Sequence, residues 1–181
     1  MTSESSALVQ LQENAADRVA LTIERDIVGS VPFMGYVLDV GNSLAIFHYI
    51  EGYHLDGYCI TAIRDVATIR RGKFERFVHN VLKKEREWDA IGLDIDVDLT
   101  SWGSVMKSLR AAEKLVAIGG ERQWNEFLFA GKIVRVNRKS VTLREIDPCG
   151  RWGETRPVPF ASIDIVFFDD EWLNVLAKHA K

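Results

Sequence analysis

The sequence contains an internal repeat, and this repeat limits what the chain can fold into. Residues 31–40 (VPFMGYVLDV) align without gaps with residues 127–136 (FLFAGKIVRV), at an offset of 96. The match continues downstream, with one inserted residue, in the same order. The matched pairs include Gly35 with Gly131, Phe47 with Leu143, Ile50 with Ile146, Ile63 with Phe160, Val66 with Ile163 and Ile69 with Val166. Because unrelated segments rarely match in one order over such a length, we interpret the chain as two copies of one module.

The repeat predicts three regions along the chain. The first module lies within residues 1–82 and the second within residues 101–181. Residues 83–100 form a linker rich in charged residues. Two small domains of this size are compatible with a chain of 181 residues.

Composition excludes several classes of protein. The chain has 23 Lys and Arg against 26 Asp and Glu, and hydrophobic residues make up 47% of it. These values are typical of a folded water-soluble protein and exclude a disordered chain or a strongly basic nucleic-acid-binding domain. Cys59 and Cys149 form no disulfide or metal-binding pattern, and no apolar run is long enough to span a membrane. We therefore expect a cytoplasmic location.

Each copy combines an amphipathic helix with five short strand patterns. In the second copy, Thr100 or Ser101 can cap a helix. Its apolar stripe consists of Trp102, Val105, Met106, Leu109, Ala112 and Val116. The strand patterns of the first copy are Val19–Glu24, Phe33–Val40, Ser43–Ile50, Tyr58–Ile63 and Ala67–Arg71. Those of the second copy are Leu115–Ile118, Glu126–Asn137, Ser140–Ile146, Thr155–Phe160 and Asp164–Phe168.

Two glycines inside the strand patterns predict sharply bent strands. Gly35 and Gly131 occupy equivalent places in the two copies. A glycine within a strand marks a bend or a close backbone approach, as at the corner of a small barrel. Five short strands behind one helix bury their apolar residues best when they curl into such a barrel. We therefore predict a mainly β fold with two tandem five-stranded barrels, each with an N-terminal helix.

This order of one helix and five bent strands resembles the Sm-like arrangement of the SH3-like barrel, and it is similar to small repeat-built bacterial proteins. The run Ile69-Arg70-Arg71-Gly72 is similar to the second Sm motif, which in that family helps to hold RNA. The equivalent run of the second copy, residues 166–169 (VFFD), has neither Arg nor Gly. The Asp and Asn of the first Sm motif are absent from both copies. The resemblance therefore implies the fold and does not extend to the RNA-binding residues.

A basic cluster in the second copy is a candidate binding surface. Between Lys132 and Arg156 there are seven Lys and Arg and three acidic residues. Trp152 can stack on a base or another planar ligand. The candidate surface consists of Arg138, Lys139, Arg144, Arg151, Trp152 and Arg156. Strand alternation divides these cations between two faces, so we expect RNA to bind with a Kd no tighter than about 10⁻⁵ M near physiological salt. The alternative is a solvated face on which the tryptophan holds a loop.

The first copy offers a candidate polar-aromatic pocket. Its residues are His48, Tyr53, His54, Asp56 and Tyr58. They allow three interpretations: a small active site, a zinc site that also uses Cys59, or a hairpin whose outer face carries these side chains. The second copy has no equivalent histidines, which favours the third interpretation. Phosphate-binding loops and hydrolase motifs are absent from the sequence, so we assign no catalytic, cofactor or metal residues.

Together these features favour a non-enzymatic protein-binding or scaffold module, of the kind that serves as an adaptor or neutralises a toxin. The alternative is an Sm-like RNA-binding protein that uses the basic surface of the second barrel, and a small hydrolase is a third hypothesis. We expect another protein as the partner and no membrane or cofactor. Weak RNA binding and a homo-oligomer are further alternatives. Within one chain, each barrel can cover the open face or edge strand of the other.

Overall fold

The computed structural model describes residues 3–119 and 128–181. Within these ranges lie four α-helices and ten β-strands. The helices are α1 (Ser3–Asp17), α2 (Lys73–Lys84), α3 (Trp102–Ala111) and α4 (Glu171–His179). The strands are β1 (Ala20–Arg25), β2 (Phe33–Val40), β3 (Leu44–Glu51), β4 (His54–Ala62), β5 (Val66–Arg70), β6 (Leu115–Gly119), β7 (Leu128–Val136), β8 (Ser140–Ile146), β9 (Trp152–Pro159) and β10 (Ile165–Phe168). Short 3₁₀ turns lie at Ile63–Asp65, Glu87–Ala90 and Phe160–Ser162.

All ten strands form one antiparallel sheet. The strand order is β5-β1-β2-β3-β4-β10-β6-β7-β8-β9. The two halves meet where β4 pairs with β10, with Tyr58 opposite Phe168 and Thr61 opposite Ile165. The mainly β prediction is confirmed. Two separate five-stranded barrels are not, because the described strands form one open sheet whose edges are β5 and β9.

The ten predicted strands all overlap observed strands. β2 and β8 have the predicted bounds. β4 and β9 begin earlier than predicted because the hairpins pair closer to their turns, with Glu51 opposite His54 and Ile146 opposite Trp152. Residues 126 and 127 of one predicted strand lie outside the described residues.

The predicted helix of the second half is confirmed as α3. Ser101 caps it, and its hydroxyl oxygen accepts a hydrogen bond of 3.1 Å from the Ser104 N–H. Three residues of the stripe are fully buried: Val105, Met106 and Leu109. The predicted stripe was too long, because α3 ends at Ala111 and Val116 belongs to β6.

The two predicted bend glycines lie where neighbouring strands approach closely. A Cβ atom on Gly131 would lie 3.0 Å from the carbonyl carbon of Arg144 on β8. A Cβ atom on Gly35 would lie 2.8 Å from the carbonyl oxygen of His48 on β3. Strand separation at both points therefore depends on the missing side chain.

The largest core cluster lies at the junction and takes side chains from both halves. It includes Ile46 and Ile60 from the first half and Leu143 and Phe168 from the second. The segment between α2 and α3 also packs there, through Val97 and Leu99. Its acidic residues are exposed: Asp94, Asp96 and Asp98.

The remaining helices cover three smaller clusters. Leu11 of α1 packs against β1, β2 and β3, and Leu82 of α2 packs on the opposite face of these strands, beside Tyr36. Leu173 and Leu176 of α4 pack against Ala117 and Ala130. Helices α2 and α4 each follow the fifth strand of their half, and neither was predicted as a helix.

Candidate functional site

The structure divides the predicted basic surface between the two ends of β8. Arg138 and Lys139 form the turn that precedes β8. Arg144 lies at the other end, near Arg151 and Arg156 on or beside β9. Each of these side chains is exposed. The five predicted cations therefore do not form a single continuous surface.

Two of the three cations near the far end of β8, Arg144 and Arg156, already contact an aromatic or acidic group. The Arg144 guanidinium lies 5.4 Å from the centre of the Trp152 ring, and that of Arg156 lies 4.5 Å from the Phe129 ring. The Arg156 Nε also forms an ion pair with Glu145. The aromatic faces that would stack on nucleic-acid bases are thus partly covered by the protein's own cations.

The predicted polar-aromatic pocket is also dispersed. His48 and Tyr58 are in direct ring contact, with ring centres 4.6 Å apart. Tyr58 stacks in turn on Phe168 of the second half, at 5.0 Å. Burial lowers the pKa of His48 to about 4, although Glu87 acts in the opposite direction. At neutral pH His48 is therefore an uncharged member of an aromatic stack that crosses the junction.

His54 contacts a different part of the structure. Its Nδ1 lies 2.6 Å from a carboxylate oxygen of Glu87, whose other oxygen accepts a 2.7 Å hydrogen bond from the Leu55 N–H. The hydrogen bond to Glu87 raises the pKa of His54. Burial would raise the pKa of Glu87, but these hydrogen bonds lower it overall. This contact holds the tip of the β3–β4 hairpin against the Glu87–Ala90 turn.

Asp56 contacts the start of α4. Its carboxylate accepts a 2.7 Å hydrogen bond from the Glu171 N–H. Asp56 and His54 line an open cleft of about 630 Å³ between the β3–β4 hairpin and α4. Acidic side chains dominate this cleft: Glu51, Asp56, Asp169 and Glu171. Its two predicted residues have structural partners: His54 contacts Glu87, and Asp56 contacts the start of α4.

No metal centre occurs in the described part of the chain. No group of three or more His, Cys, Asp or Glu side chains there is arranged to hold a metal ion. Cys59 is fully buried, and burial raises the pKa of its thiol. Cys59 therefore acts as a core residue and does not supply a thiolate ligand.

An exposed aromatic surface is the feature that sequence reasoning missed. It consists of Tyr53 at the β3–β4 turn and of Phe74 and Phe77 on α2, which are 43%, 55% and 55% exposed. The rings of Tyr53 and Phe77 meet edge to face, with centres 6.0 Å apart. We call these three residues the aromatic surface.

A groove of about 410 Å³ lies beside the aromatic surface. Tyr53 and Phe74 form one side of it. A row of cross-strand neighbours, Arg70, Thr22, Met34 and Ile50, also lines it. We call this space the aromatic groove. It is shallow and largely apolar, and this shape suits a protein side chain better than a substrate that must be enclosed.

A buried carboxylate fixes the helix beside this groove. Glu75 of α2 accepts hydrogen bonds of 2.7 Å from the Thr22 hydroxyl and of 2.6 Å from the Gly72 N–H. Burial alone would raise the pKa of Glu75, but the hydrogen bonds lower it overall. The start of α2 is therefore held on β1, and Phe74 is presented from a fixed backbone.

A signal for the aromatic surface is present in the sequence of α2. The helix packs against the sheet through Val78 and Leu82. Phe74 is four residues before Val78 and extends this stripe past the end of the core, whereas Phe77 lies beside it. An apolar stripe that is wider than the core it covers is a sign of a binding surface.

Comparisons with known proteins identify no relative. A scan against protein-family models found no match, and a search of the curated proteins found no related sequence. Among the described residues, no helix has the length and apolar character needed to cross a membrane.

Proposed function

We propose that this protein is a non-enzymatic protein-binding module whose contact site is the aromatic surface. The observation that carries the proposal is the solvent exposure of Tyr53, Phe74 and Phe77 in one place. Aromatic residues are enriched where proteins bind each other, because they supply large apolar area at little loss of conformational entropy. Three of them in one place, two of which line a shallow groove, are typical of the anchor of such a site.

The other two hypotheses have less support. An RNA-binding surface needs its cations on one face, whereas Arg138 and Lys139 precede β8 and Arg144 lies in its second half. A hydrolase needs a base beside a nucleophile, whereas His48 is stacked on Tyr58 and His54 contacts Glu87. Protein binding requires neither arrangement.

We further propose that the two halves are Sm-like modules fused through one sheet. Three observations support this proposal. In each half the fifth strand pairs with the first, and the others follow in chain order. The same backbone hydrogen bond of 2.9 Å recurs at aligned positions, from Ile63 N–H to Ser43 O and from Phe160 N–H to Lys139 O. Equivalent glycines also lie at close strand approaches.

A cytoplasmic location is part of the proposal. It is supported by the two cysteines, which are free in the structure. Cys59 is buried and Cys149 is exposed. An exposed free thiol is more common in a reducing compartment.

A comparison of affinity purifications tests the function. The tagged protein and a Phe74→Ser/Phe77→Ser variant are used to capture partners from the source cells, and bound protein and RNA are identified separately. The matched control is Val28→Ser/Val31→Ser, which also removes exposed apolar side chains, at 99% and 75% exposure, but outside the aromatic surface.

The proposal predicts a protein that binds the wild type and the control but not the Phe74→Ser/Phe77→Ser variant. It is wrong if the same partners remain on all three proteins. Retention of RNA that is lost after Arg144→Glu/Trp152→Ala would favour the RNA-binding alternative. Thermal melting of each variant separates loss of binding from loss of fold.

A further inference from the structure

The two edges of the ten-stranded sheet differ in whether they can accept another strand. β5 and β9 are the terminal strands among residues 3–119 and 128–181. A terminal strand presents backbone N–H and C=O groups on its outer side, which can pair with a further strand. The orientation of these groups follows from the hydrogen bonds on the inner side.

The outer edge of β9 is blocked by two prolines. The Phe160 N–H donates to Lys139 O, so the backbone groups of residue 160 point toward β8. Backbone groups point alternately to the two sides of a strand, and the register of β9 with β8 is regular from Thr155 to Pro159. Pro157 and Pro159 therefore occupy outward positions and have no N–H to donate there.

The positions of β4 that align with these two prolines of β9 face the junction between the two halves. The Ile63 N–H donates to Ser43 O, so Ile60 and Ala62 point their backbone groups toward β10. Ile60 lies opposite Val166 of β10. In the repeat alignment, Ile60 and Ala62 correspond to Pro157 and Pro159. At the position that Ile60 uses at the junction, β9 therefore has no N–H to donate.

The edge of β5 retains its backbone groups. Ile69 aligns with Val166, whose backbone groups face β4 in the junction. Ile69 therefore directs its N–H and C=O to the outer side of β5. This strand contains no proline, and Ala67, Thr68 and Arg70 are exposed. At the junction, β10 occupies the place in the second half that β5 occupies in the first, and its edge binds β4. The edge of β5 is therefore of a type that already binds a strand within this chain.

A second copy of the chain fits this edge poorly. Its β9 lacks two of the outward donors, because Pro157 and Pro159 have no N–H. Two β5 strands paired antiparallel about Ile69 would gather Arg70 and Arg71 of both copies around the two-fold axis, where like charges repel.

The side chains on and beside β5 are mainly cationic: Arg64, Arg70, Arg71 and Lys73. Although Arg70 and Arg71 contact Glu24 and Asp17, their side chains remain about half exposed. This charge favours an acidic occupant.

The aromatic groove is continuous with the edge. Arg70 lies opposite Thr22, and Thr22 lies opposite Met34. All three side chains line the groove, and Phe74 stands above them. A strand added antiparallel to β5 would begin beside Arg70, so its amino-terminal residue would reach the groove.

We propose that β5 binds an extended acidic segment of another protein as an eleventh, antiparallel strand, with an apolar side chain at the amino-terminal end of that segment in the aromatic groove. This proposal rests on the proposed protein-binding function and names the class of partner. Main-chain hydrogen bonds to Ile69 supply affinity, while Phe74 and Arg70 supply specificity.

Fluorescence anisotropy with defined peptides tests the proposal on the full chain. The probes are labelled peptides in which phenylalanine precedes alternating glutamate and valine, isoleucine or threonine. Counterparts with lysine in place of glutamate control for charge. Ile69→Pro removes the outward N–H, and Ile69→Val is the matched control because it keeps the N–H and most of the side chain. NMR spectra of the protein's backbone amides, recorded with and without peptide, show which residues the peptide contacts.

We expect acidic peptides to bind about tenfold more tightly than their lysine counterparts and to perturb the Ile69 amide. Binding should weaken about tenfold in Ile69→Pro and change less than about twofold in Ile69→Val. Arg70→Glu should make the lysine peptides bind more tightly than the glutamate peptides. If circular dichroism shows that Ile69→Pro is unfolded, the result for Arg70→Glu tests the proposal instead.

Three outcomes overturn the proposal: no acidic peptide binds, binding survives Ile69→Pro in a folded protein, or the protein forms a dimer that Ile69→Pro dissociates. A partner that is lost from Phe74→Ser/Phe77→Ser but retained by Ile69→Pro and Arg70→Glu would preserve the protein-binding function and refute the added strand. The two proposals can therefore fail separately.

Discussion

Replacing Gly131 with alanine tests the close approach of β7 and β8. Gly131 lies opposite Glu145 in this strand pair. The added Cβ atom would lie 3.0 Å from the Arg144 carbonyl carbon and 3.2 Å from the Glu145 Cα, and closer still to the Arg144 carbonyl oxygen. These are backbone atoms of a paired strand, so they cannot rotate away as a flexible side chain can.

The expected loss of stability follows from the local separation of β7 and β8 that the added methyl group requires. To restore ordinary contact they must separate locally, which strains the packing by about 1–3 kcal/mol. One or two ladder hydrogen bonds would also weaken, at about 1 kcal/mol each. The smaller entropy of an alanine in the unfolded chain offsets about 0.4–1 kcal/mol. We therefore expect Gly131→Ala to lower the free energy of unfolding by about 1–4 kcal/mol, or the melting temperature by roughly 3–15 °C.

Urea denaturation of three alanine variants measures this effect. Gly35→Ala should lose about 1–2 kcal/mol, because its Cβ would lie 2.8 Å from the His48 carbonyl oxygen. Gly92→Ala is the control: nothing lies within 4 Å of its added Cβ, so its stability should change by less than about 0.5 kcal/mol. The reasoning is refuted if Gly131→Ala and Gly92→Ala unfold at the same urea concentration with equal slopes.

Three further predictions concern the junction, the blocked edge and the basic surface. The folded-state pKa of His48 is about 4, below its ordinary value near 6.5, so the unfolded chain binds the extra proton between these values and stability falls as the pH drops through this range. His48→Phe should therefore reduce the loss of stability between pH 7 and pH 5 by about 2 kcal/mol, and an unchanged pH profile from denaturation would contradict this. Pro157→Ile/Pro159→Ala places the residue types of β4 on β9, and it should cause concentration-dependent self-association in sedimentation velocity; identical profiles for variant and wild type would contradict the orientation argument. Filter binding should give an RNA Kd no tighter than about 10⁻⁵ M near physiological salt, whereas sub-micromolar binding abolished by Arg144→Glu/Trp152→Ala would overturn this prediction.

The strands could be predicted from the sequence because their signals are local. Apolar alternation and turn residues identify each strand without reference to its neighbours, as the confirmed bounds of β2 and β8 illustrate. Helices α2 and α4 were missed because each follows a strand after a short turn. Boundaries of this kind carry weak signals.

The single open sheet could not be predicted, because it depends on long-range pairing. The backbone groups of β4 could equally close a barrel within the first half, and the sequence around Tyr58 does not distinguish this from pairing with Phe168. The deciding factor is the shared core, in which Ile60 packs among residues of both halves. Such packing is a property of the assembled chain and not of a segment.

The candidate site was predictable in its residue types but not in its location. Tyr53 was singled out, yet its relevant neighbours are on α2 and not on the hairpin. Exposure of Phe74 depends on where the core beneath α2 ends, which is set by Val78 and Leu82 packing on β1 and β2. A sequence pattern shows that a stripe is apolar, but it does not show how far the surface beneath it extends.

The difference between the two sheet edges explains why a chain with two similar halves need not polymerise. In a head-to-tail repeat, the edge that joins the first half to the second would also join one chain to the next, and such contacts extend without limit unless they close into a ring. Pro157 and Pro159 remove two outward donors from one of these edges. The edge of β5 can then remain open without self-pairing, because its natural complement on another copy no longer exists. An open strand edge beside an aromatic groove is therefore compatible with a stable protein, and it stays available to a partner of different sequence.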